Sequence, residues 1–280
     1  MRISLVVSTI GRAVELRRLL VSLEAQSHKD FEVIVVDQNQ DARLVPIVAE
    51  FAGKLEIRHL TGAATGAGRG RNIGVRETTG EVTCFPDDDC WYPEQFLREV
   101  NALLTAHPEW DAIIGEAVDE SGRPVLRWRD RSQRATKPIC WRRAVCFALV
   151  VRSRVLVNIG EFDETCGPGA GTMWGSGEDI DLMLRAVEKG FHVRYEKGLR
   201  IHHPPIFRSF DESGRSKAYG YALGDGRQLR DHPMPFWWRI LFFGVPFGRT
   251  LLAMAKLARE EARFHWAICV ARVKGFWLRG

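Results

Sequence analysis

Long apolar runs are missing from this chain. The longest stretch without a charged residue, Thr165–Gly177, holds 13 residues and is rich in glycine. A helix needs roughly 18 to 20 apolar residues to cross a bilayer, so no simple membrane span is expected. The opening Met-Arg-Ile-Ser-Leu-Val-Val-Ser turns polar at Ser8 and Thr9, too soon for a secretory leader, and reads as a first strand of a cytoplasmic protein. Cysteine is sparse: the six sit at 84, 90, 140, 146, 166 and 269, with no Cys-x-x-Cys pair and no histidine at zinc-finger spacing. Buried, reduced thiols are therefore expected in place of a disulfide framework or a zinc site. Gly-x-Gly-x-x-Gly and Gly-Lys-Ser/Thr are also missing, which excludes the dinucleotide fingerprint and the P-loop. No internal repeat is present.

What remains is a globular balance. The 280 residues are 45% hydrophobic and 27% charged, with 26 Gly and 12 Pro. Such a composition excludes disorder, collagen and coiled coil, and it suffices for one large α/β domain or two modest ones. Charge is uneven. Residues 205–280 carry 13 Lys/Arg against 6 Asp/Glu, while residues 1–204 carry 27 against 29. A basic tail on a near-neutral body points to anionic lipid or a phosphorylated ligand. Nucleic acid is not expected, because no recognition motif accompanies the charge. Pro204–Pro205 marks the boundary, dividing the chain into a body, 1–204, and a basic, aromatic-rich extension, 205–280, that is not an independently folding domain.

Strands and helices alternate. Ile3–Val7 is a short apolar strand; Leu16, Leu19, Leu20 and Leu23 then recur at helical spacing. Phe31–Val36 is a second strand ended by Asp37, Leu44–Phe51 a helix, and Leu55–Leu60 a third strand. A glycine-rich turn and helix follow, and then a fourth strand, Val82–Phe85. The pattern predicts an α/β fold with a mixed, mostly parallel central sheet flanked by helices. Ligands in such sheets lie beyond the carboxyl ends of the strands. Thr9, Arg12, Asp37, the glycine turn and Asp87–Asp89 are the residues placed there.

Four stretches carry chemistry. Asp37 either accepts hydrogen bonds from a base or ribose or caps the next helix, for which Asp41 is the better candidate. In Gly62–Gly74 the glycines permit close backbone approach and the following helix start favours an anion; Arg69 and Arg71 either bind phosphate or lie solvated on the helix. Asp87, Asp88 and Asp89 repel one another behind a hydrophobic strand. That arrangement suits Mg²⁺ or Mn²⁺, unless it is an acidic turn capping the helix at Pro93. Glu178, Asp179 and Asp181 begin a helix, where they serve either chemistry or the helix dipole. The Gly167–Gly177 run before them is shaped like a flexible loop that covers substrate.

In this order, the motifs resemble glycosyltransferase family 2, inverting enzymes with the GT-A fold, over about residues 3–204. The likeness rests on Val-Val-Ser-Thr-Ile-Gly-Arg, Asp37, Gly-Arg-Gly-Arg-Asn-Ile-Gly, the Asp-Asp-Asp string, Gly-Glu-Asp-Ile-Asp-Leu-Met-Leu-Arg and Ile-His-His-Pro. It is nearest to bacterial enzymes that extend lipid-linked exopolysaccharide or capsule units. The resemblance implies that Asp37 contacts the uracil, with Thr9, Arg12, Arg71 and Asn72 in the nucleotide pocket. It puts Asp87 or Asp88 near the ribose, Asp89 on a Mn²⁺ or Mg²⁺ ion, and a histidine, His203 or its neighbour His202, beside the metal or diphosphate. Asp179 becomes the base that deprotonates the acceptor, supported by Glu178. Gln38 departs from the second acid that many relatives carry after the Asp37 position.

The remaining signals concern an acceptor, for which the resemblance implies a lipid-linked saccharide. Arg123, Arg127, Arg129, Arg131, Arg134, Lys137, Arg142, Arg143, Arg152 and Arg154 interleave with Trp128 and Trp141. They form either an acceptor groove for a sugar diphosphate or an exposed basic strand pair. Trp174, Arg142 and Arg143 are the acceptor candidates. Met234–Gly248 clusters interfacial aromatics. Beyond it Leu251, Ala255, Ala258, Ala262, Trp266, Cys269 and Val273 repeat at three or four residues, with Arg249, Lys256 and Arg263 on another face. This predicts a basic amphipathic helix lying on the anionic inner leaflet of the cell membrane or packed on the protein. Transfer onto polyprenyl phosphate and a non-catalytic sugar- or nucleotide-binding subunit are the competing functions.

Overall fold

The computed structural model describes residues 1–125, 131–205 and 209–278; Arg127, Trp128 and Arg129 of the basic segment lie outside them. The apolar runs form strands β1 (Ile3–Thr9), β2 (Phe31–Asp37), β3 (Ile57–Leu60), β4 (Val82–Cys84), β5 (Ala112–Val118), β6 (Gln133–Arg134), β7 (Leu149–Arg152) and β8 (Val193–His202). They make one sheet in the order β3-β2-β1-β4-β7-β5-β8-β6. β7 and β6 run against their neighbours, and the other pairings are parallel. The expected mixed, mostly parallel sheet is what forms. β1 and β2 are buried almost end to end, as strands covered on both faces must be.

Helices α1 (Ala13–Glu24), α2 (Val45–Glu50), α3 (Ala67–Val75), α4 (Phe96–Ala106), α5 (Lys137–Arg143), α6 (Ser153–Ile159) and α7 (Glu178–Glu188) flank the sheet. On one face Leu16, Leu19 and Leu23 of α1 and Phe96 and Leu97 of α4 pack with Ile3, Leu5 and Val7. On the other, Leu182 and Met183 of α7 pack with Val6, Ile34 and Tyr195. The alternation of β1 side chains between these two cores is the period-two pleat of a strand.

The glycines of α3 explain how closely it sits on the sheet. A Cβ at Gly70 would fall 2.1 Å from Ser8 Oγ, and one at Gly74 would fall 2.3 Å from Val6 Cγ1. These two glycines, one helical turn apart, let the helix backbone settle onto β1. Their role is helix-on-sheet packing, where the sequence had suggested backbone approach to an anion.

Helices α8 (Glu212–Asp231), α9 (Phe236–Ala255) and α10 (Arg259–Trp277) make up the extension. Its Leu229, Met234, Trp238 and Phe242 are buried in the same core as Leu182 and Tyr195. The single helix expected across residues 249–273 is two helices. Leu257 adopts a left-handed φ of 57°, the chain turns between α9 and α10, and the predicted apolar stripe is split. α10 then packs on α8 through glycine: a Cβ at Gly275 would lie 2.1 Å from the Leu223 carbonyl oxygen, and one at Gly226 would lie 2.3 Å from that of Arg272. Within α9, Pro246 lacks the N–H that would bond the Phe242 carbonyl one turn back. Arg272 of α10 donates its Nη1 to that oxygen.

Two glycine substitutions should move stability in opposite directions. Gly74→Ala overpacks the α3–β1 contact and should lower unfolding free energy by about 1–3 kcal/mol. Gly248→Ala, where a new Cβ meets nothing within 4 Å, should raise it by about 0.5–1 kcal/mol. Urea unfolding midpoints of the two variants check both signs.

Candidate functional site

The carboxyl ends of β1, β2 and β4 open at one place. Thr9 and Asp37 are register partners, and Asp87–Asp89 follow two residues after β4 ends at Cys84. The three adjacent carboxylates do not crowd one another, because each faces a different partner. Asp87 accepts from Arg71 Nη2 at 2.9 Å. Asp88 accepts from Thr9 Oγ1 at 2.7 Å and Arg12 Nη1 at 2.9 Å. Asp89 also pairs with Arg12 and faces His203 Nε2 at 3.6 Å. The protein's own cations thus offset much of the repulsion that the sequence alone assigns to a metal. Burial raises the Asp88 carboxyl even so, against the pull of Thr9 and Arg12.

Asp89 and His203 are the pair suited to a divalent ion. Asp89 Oδ1 is buried and has no hydrogen-bond partner among the described residues; an orphaned buried oxygen has a strong reason to hold a ligand. His203 Nδ1 lies 2.6 Å from the Pro204 carbonyl oxygen, so it carries the proton and leaves the Nε2 lone pair facing Asp89. The ring stacks on Phe147 with centroids 4.5 Å apart. Cys90 offers a third donor, all three ligand atoms lying within 4.8 Å of one another. Burial pushes that thiol well up, and a protonated sulfur does not compete for Mg²⁺ or Mn²⁺. An oxygen and an imidazole nitrogen fit Mn²⁺ well. His202 is elsewhere: it stacks on Trp91 with its ring 8° from parallel, and its Nδ1 donates to the Asp119 carbonyl oxygen.

The second centre stands at the start of α7. Gly177 precedes it with φ 114°, a conformation that glycine adopts without cost. Glu178, Asp179 and Asp181 fill the first turn. Glu178 accepts from Arg71 Nη1 at 3.1 Å, and Gly167 leaves room for it, since a Cβ there would fall 2.6 Å from Glu178 Cδ. Asp179 accepts from the N–H of Ile180 at 2.8 Å. Burial and then the charge of Glu178 raise its carboxyl well above the usual carboxylate range, as a proton acceptor working near neutral pH requires. Arg71, 6% exposed, spans the two centres by holding Asp87 and Glu178 together. Asp181 belongs to neither, being held by Arg185 and by His232 Nε2 at 2.9 Å.

Several expected residues have other partners. Asp37 is no helix cap: α2 begins after Leu44, and Asp41 binds Arg43. Asp37 Oδ1 accepts from the backbone and side chain of Asn39, and Oδ2 lies 3.0 Å from His59 Nε2. Asn72 is 1% exposed, and its amide exchanges hydrogen bonds with the backbone of Phe162 and donates to Glu164. Arg69 is bound to Glu164. Trp174 is buried with Cys166, Ala222, Leu223 and Ala271, so it offers an acceptor no open face. Arg142 stacks 4.3 Å over the Trp238 ring, while Arg143 is half-buried on α5 beside it. The basic segment is dispersed. Lys137 pairs with Glu188, Arg152 donates to the carbonyls of Trp110 and Leu104, and Arg154 pairs with Asp111.

Other contacts at the site escaped sequence reasoning. Gln38 donates to the carbonyl oxygens of Ala64 and Gly66 at 2.5 and 3.0 Å, which fixes the loop into α3; its polar amide straight after a buried strand was the available signal. His59 reaches Asp37 because β3 lies beside β2 with Val35 opposite His59, a register no local pattern reveals. Arg18 of α1 donates to the Asp89 carbonyl and lies 3.9 Å over Trp91.

The comparisons agree with this geometry. Residues 4–151, more than half of the chain, match the family described as Glycosyl transferase family 2. An uncharacterized glycosyltransferase of Haemophilus influenzae is 26% identical over 215 residues, 74% of this chain and 68% of its own length. The chain spans less than half the length of several other curated relatives it matches. The fold matches that of Staphylococcus aureus TarS 1–349 in complex with UDP-GlcNAc, with TM-score 0.61 and 16% identity over 100% of this chain and 93% of that one. It also matches the mannosyltransferase PcManGT of Pyrobaculum calidifontis in complex with GDP-Man and Mn²⁺, with TM-score 0.67 and 16% identity over 99% and 87%. With its strand-end aspartates and its helix-borne Asp179, the chain belongs to glycosyl transferase family 2 and is a glycosyltransferase.

Proposed function

We propose that the protein moves a sugar from a nucleotide sugar, a UDP-sugar, to a hydroxyl of a lipid-linked saccharide in bacterial polysaccharide synthesis, inverting the anomeric centre. One observation carries the reading: Asp179, a desolvated carboxylate, adjoins Glu178, which Arg71 ties to a strand end that holds an orphaned carboxylate oxygen, Asp89 Oδ1. The first centre is suited to take a proton and the second to stabilise negative charge. TarS bound to UDP-GlcNAc and PcManGT bound to GDP-Man and Mn²⁺ are folds of the same kind.

The chain's own residues perform the steps around the reaction. Asp179 accepts the proton of the attacking hydroxyl. Glu178 and the surrounding burial keep that carboxyl basic enough to do so. Arg71 fixes Glu178 and Asp87, and Thr9 and Arg12 fix Asp88 beneath the donor. Asp89 and His203 would hold Mn²⁺ or Mg²⁺. When bound, that ion supplies the positive charge that stabilises a departing diphosphate. Asp37, with His59 fixing one of its oxygens, is the residue placed to meet the base.

The extension is proposed to rest on an anionic membrane, at the inner face of the cell membrane, through the surface that its packing against residues 1–204 leaves exposed. Among the described residues no helix is long and apolar enough to cross a membrane. α9 instead exposes Phe236, Trp237, Ile240, Leu241, Leu251, Leu252 and Met254 on the side away from its buried Trp238 and Phe242. Arg249, Lys256, Arg259 and Arg263 are exposed near it. An apolar face with a basic rim is what an anionic interface binds.

Four measurements check these assignments. Asp179→Asn should lower turnover by at least ~100-fold while UDP with Mn²⁺ still raises the melting temperature. In the parent enzyme, activity should fall as pH drops through the raised pKa of Asp179, at a higher pH than an ordinary carboxylate gives. Glu178→Gln removes one of the two causes of that elevation and should move this acid limb to lower pH. Turnover of the Asn variant close to the parent value would remove Asp179 from the role of base. Asp89→Asn and His203→Ala should each weaken Mn²⁺ binding in the presence of UDP by at least ~10-fold, read by electron paramagnetic resonance; unaltered binding would move the ion elsewhere. Replacing Trp237, Ile240, Leu251 and Leu252 together by Ser should abolish flotation with phosphatidylglycerol vesicles. Those substitutions spare Trp238 and Phe242, which the core needs.

A further inference from the structure

A cleft of about 780 Å³ opens between the glycine loop that leads into Glu178–Asp179 and the outer face of α8. One wall is the loop, where Gly167, Gly169 and Gly171, all with positive φ, alternate with Pro168, Ala170 and Thr172. The other wall is α8, with Ser216, Lys217 and Tyr221. Tyr221 is 40% exposed. Lys217 Nζ lies 5.6 Å from its ring and makes no ion pair among the described residues. None of these residues serves the donor centre.

The cleft is rigidly joined to the base. Gly175 N–H donates to the Gly220 carbonyl oxygen at 3.1 Å, and Ser176 Oγ donates to that of Tyr221 at 3.0 Å. Gly224 lets α8 come this close, since a Cβ there would fall 2.1 Å from the Ser176 carbonyl oxygen. Farther along α8, Arg227 binds Asp163 at 2.6 Å, and Thr172 Oγ1 closes the loop onto the Thr165 carbonyl oxygen. The glycine run is therefore anchored near both ends. Burial, and then the charges of Glu178, Asp179 and Asp87, raise the Tyr221 phenol, so the ring lies within electrostatic reach of the catalytic carboxylates.

The geometry points to this cleft as the acceptor subsite, receiving a saccharide that stacks on Tyr221 with its hydroxyls against the glycine backbone, Ser216 and Lys217. An exposed aromatic ring beside hydroxyl and ammonium donors suits a ligand with one apolar face and a rim of hydroxyls. The three glycines leave gaps in the loop wall where such a ligand can approach the backbone closely. The inference rests on the proposed transfer reaction and names where its second substrate binds.

The test is saturation-transfer NMR with methyl β-glucoside, methyl β-galactoside and methyl N-acetyl-β-glucosaminide as probes. The parent protein should give a signal with at least one of them. Ser216→Trp, which fills the cleft from an exposed helix face, and Tyr221→Ala should each reduce that signal at least ~5-fold. Val157→Trp, an exposed control on α6, should leave it in place. Circular dichroism melting confirms that each variant is folded. Parent-level signal in folded Ser216→Trp, or no signal with any glycoside in the parent, overturns the subsite. A melting-temperature rise with UDP and Mn²⁺ separates the two claims. If the rise is present while the cleft variants have no effect, only the subsite fails; if it is missing from the parent, the donor reading fails with it.

Discussion

A guanidinium sealed from water holds this site together. Arg71 has Asp87 on one side and Glu178 on the other, and these acids come from segments about ninety residues apart in the chain. Removing one partner of a buried ion pair leaves an uncompensated charge and costs roughly 3–5 kcal/mol, so the three groups persist only as a set. The bridge fixes the distance between the strand-end aspartates and the start of α7, and hence between the two kinds of chemistry the enzyme combines. It also explains the glycines under α3. Arg71 can reach both acids only because Gly70 and Gly74 let its helix lie directly on β1.

The same bridge shows how charge is apportioned among the acids. Asp87 and Glu178 have a permanent cation between them, Asp88 has Arg12 and Thr9, and Asp181 has Arg185 and His232. Asp179 and one oxygen of Asp89 are left without such partners. A site that satisfied every carboxylate would have none available for reaction or for an ion. Burial here works differentially: it raises Asp179, whereas Asp181, two residues on, is lowered by His232 and Arg185 in spite of its own burial. Two acids in one helical turn thereby acquire opposite tendencies.

Much of the framework was legible because apolar runs end visibly. The first four strands could be placed to within a residue or two, so Thr9, Asp37 and Asp87–Asp89 could be assigned to one edge of the sheet from the sequence alone. Partner choice was not legible. That Asn72 serves Phe162, that Arg69 serves Glu164 and that His59 reaches Asp37 all depend on how segments far apart in sequence are brought together. The glycine-rich segment misled for a related reason: glycine marks close approach without saying whether a ligand or a strand approaches. The break after α9 carried no local sign, because Leu257 takes up a conformation usually left to glycine or asparagine, with neither glycine nor proline beside it.

The lone proline of α9 has a consequence for how this extension can vary. The carbonyl it frees at Phe242 is met by one side chain, Arg272, from a helix that begins after a sharp reversal. Adding a single residue to that reversal would swing every later position by about 100° around the helix axis, carrying the guanidinium away from its oxygen and Gly275 away from α8. Changes in length are therefore tolerable there only in whole helical turns, and the hairpin behaves as a keyed fitting whose teeth are one oxygen and two glycines.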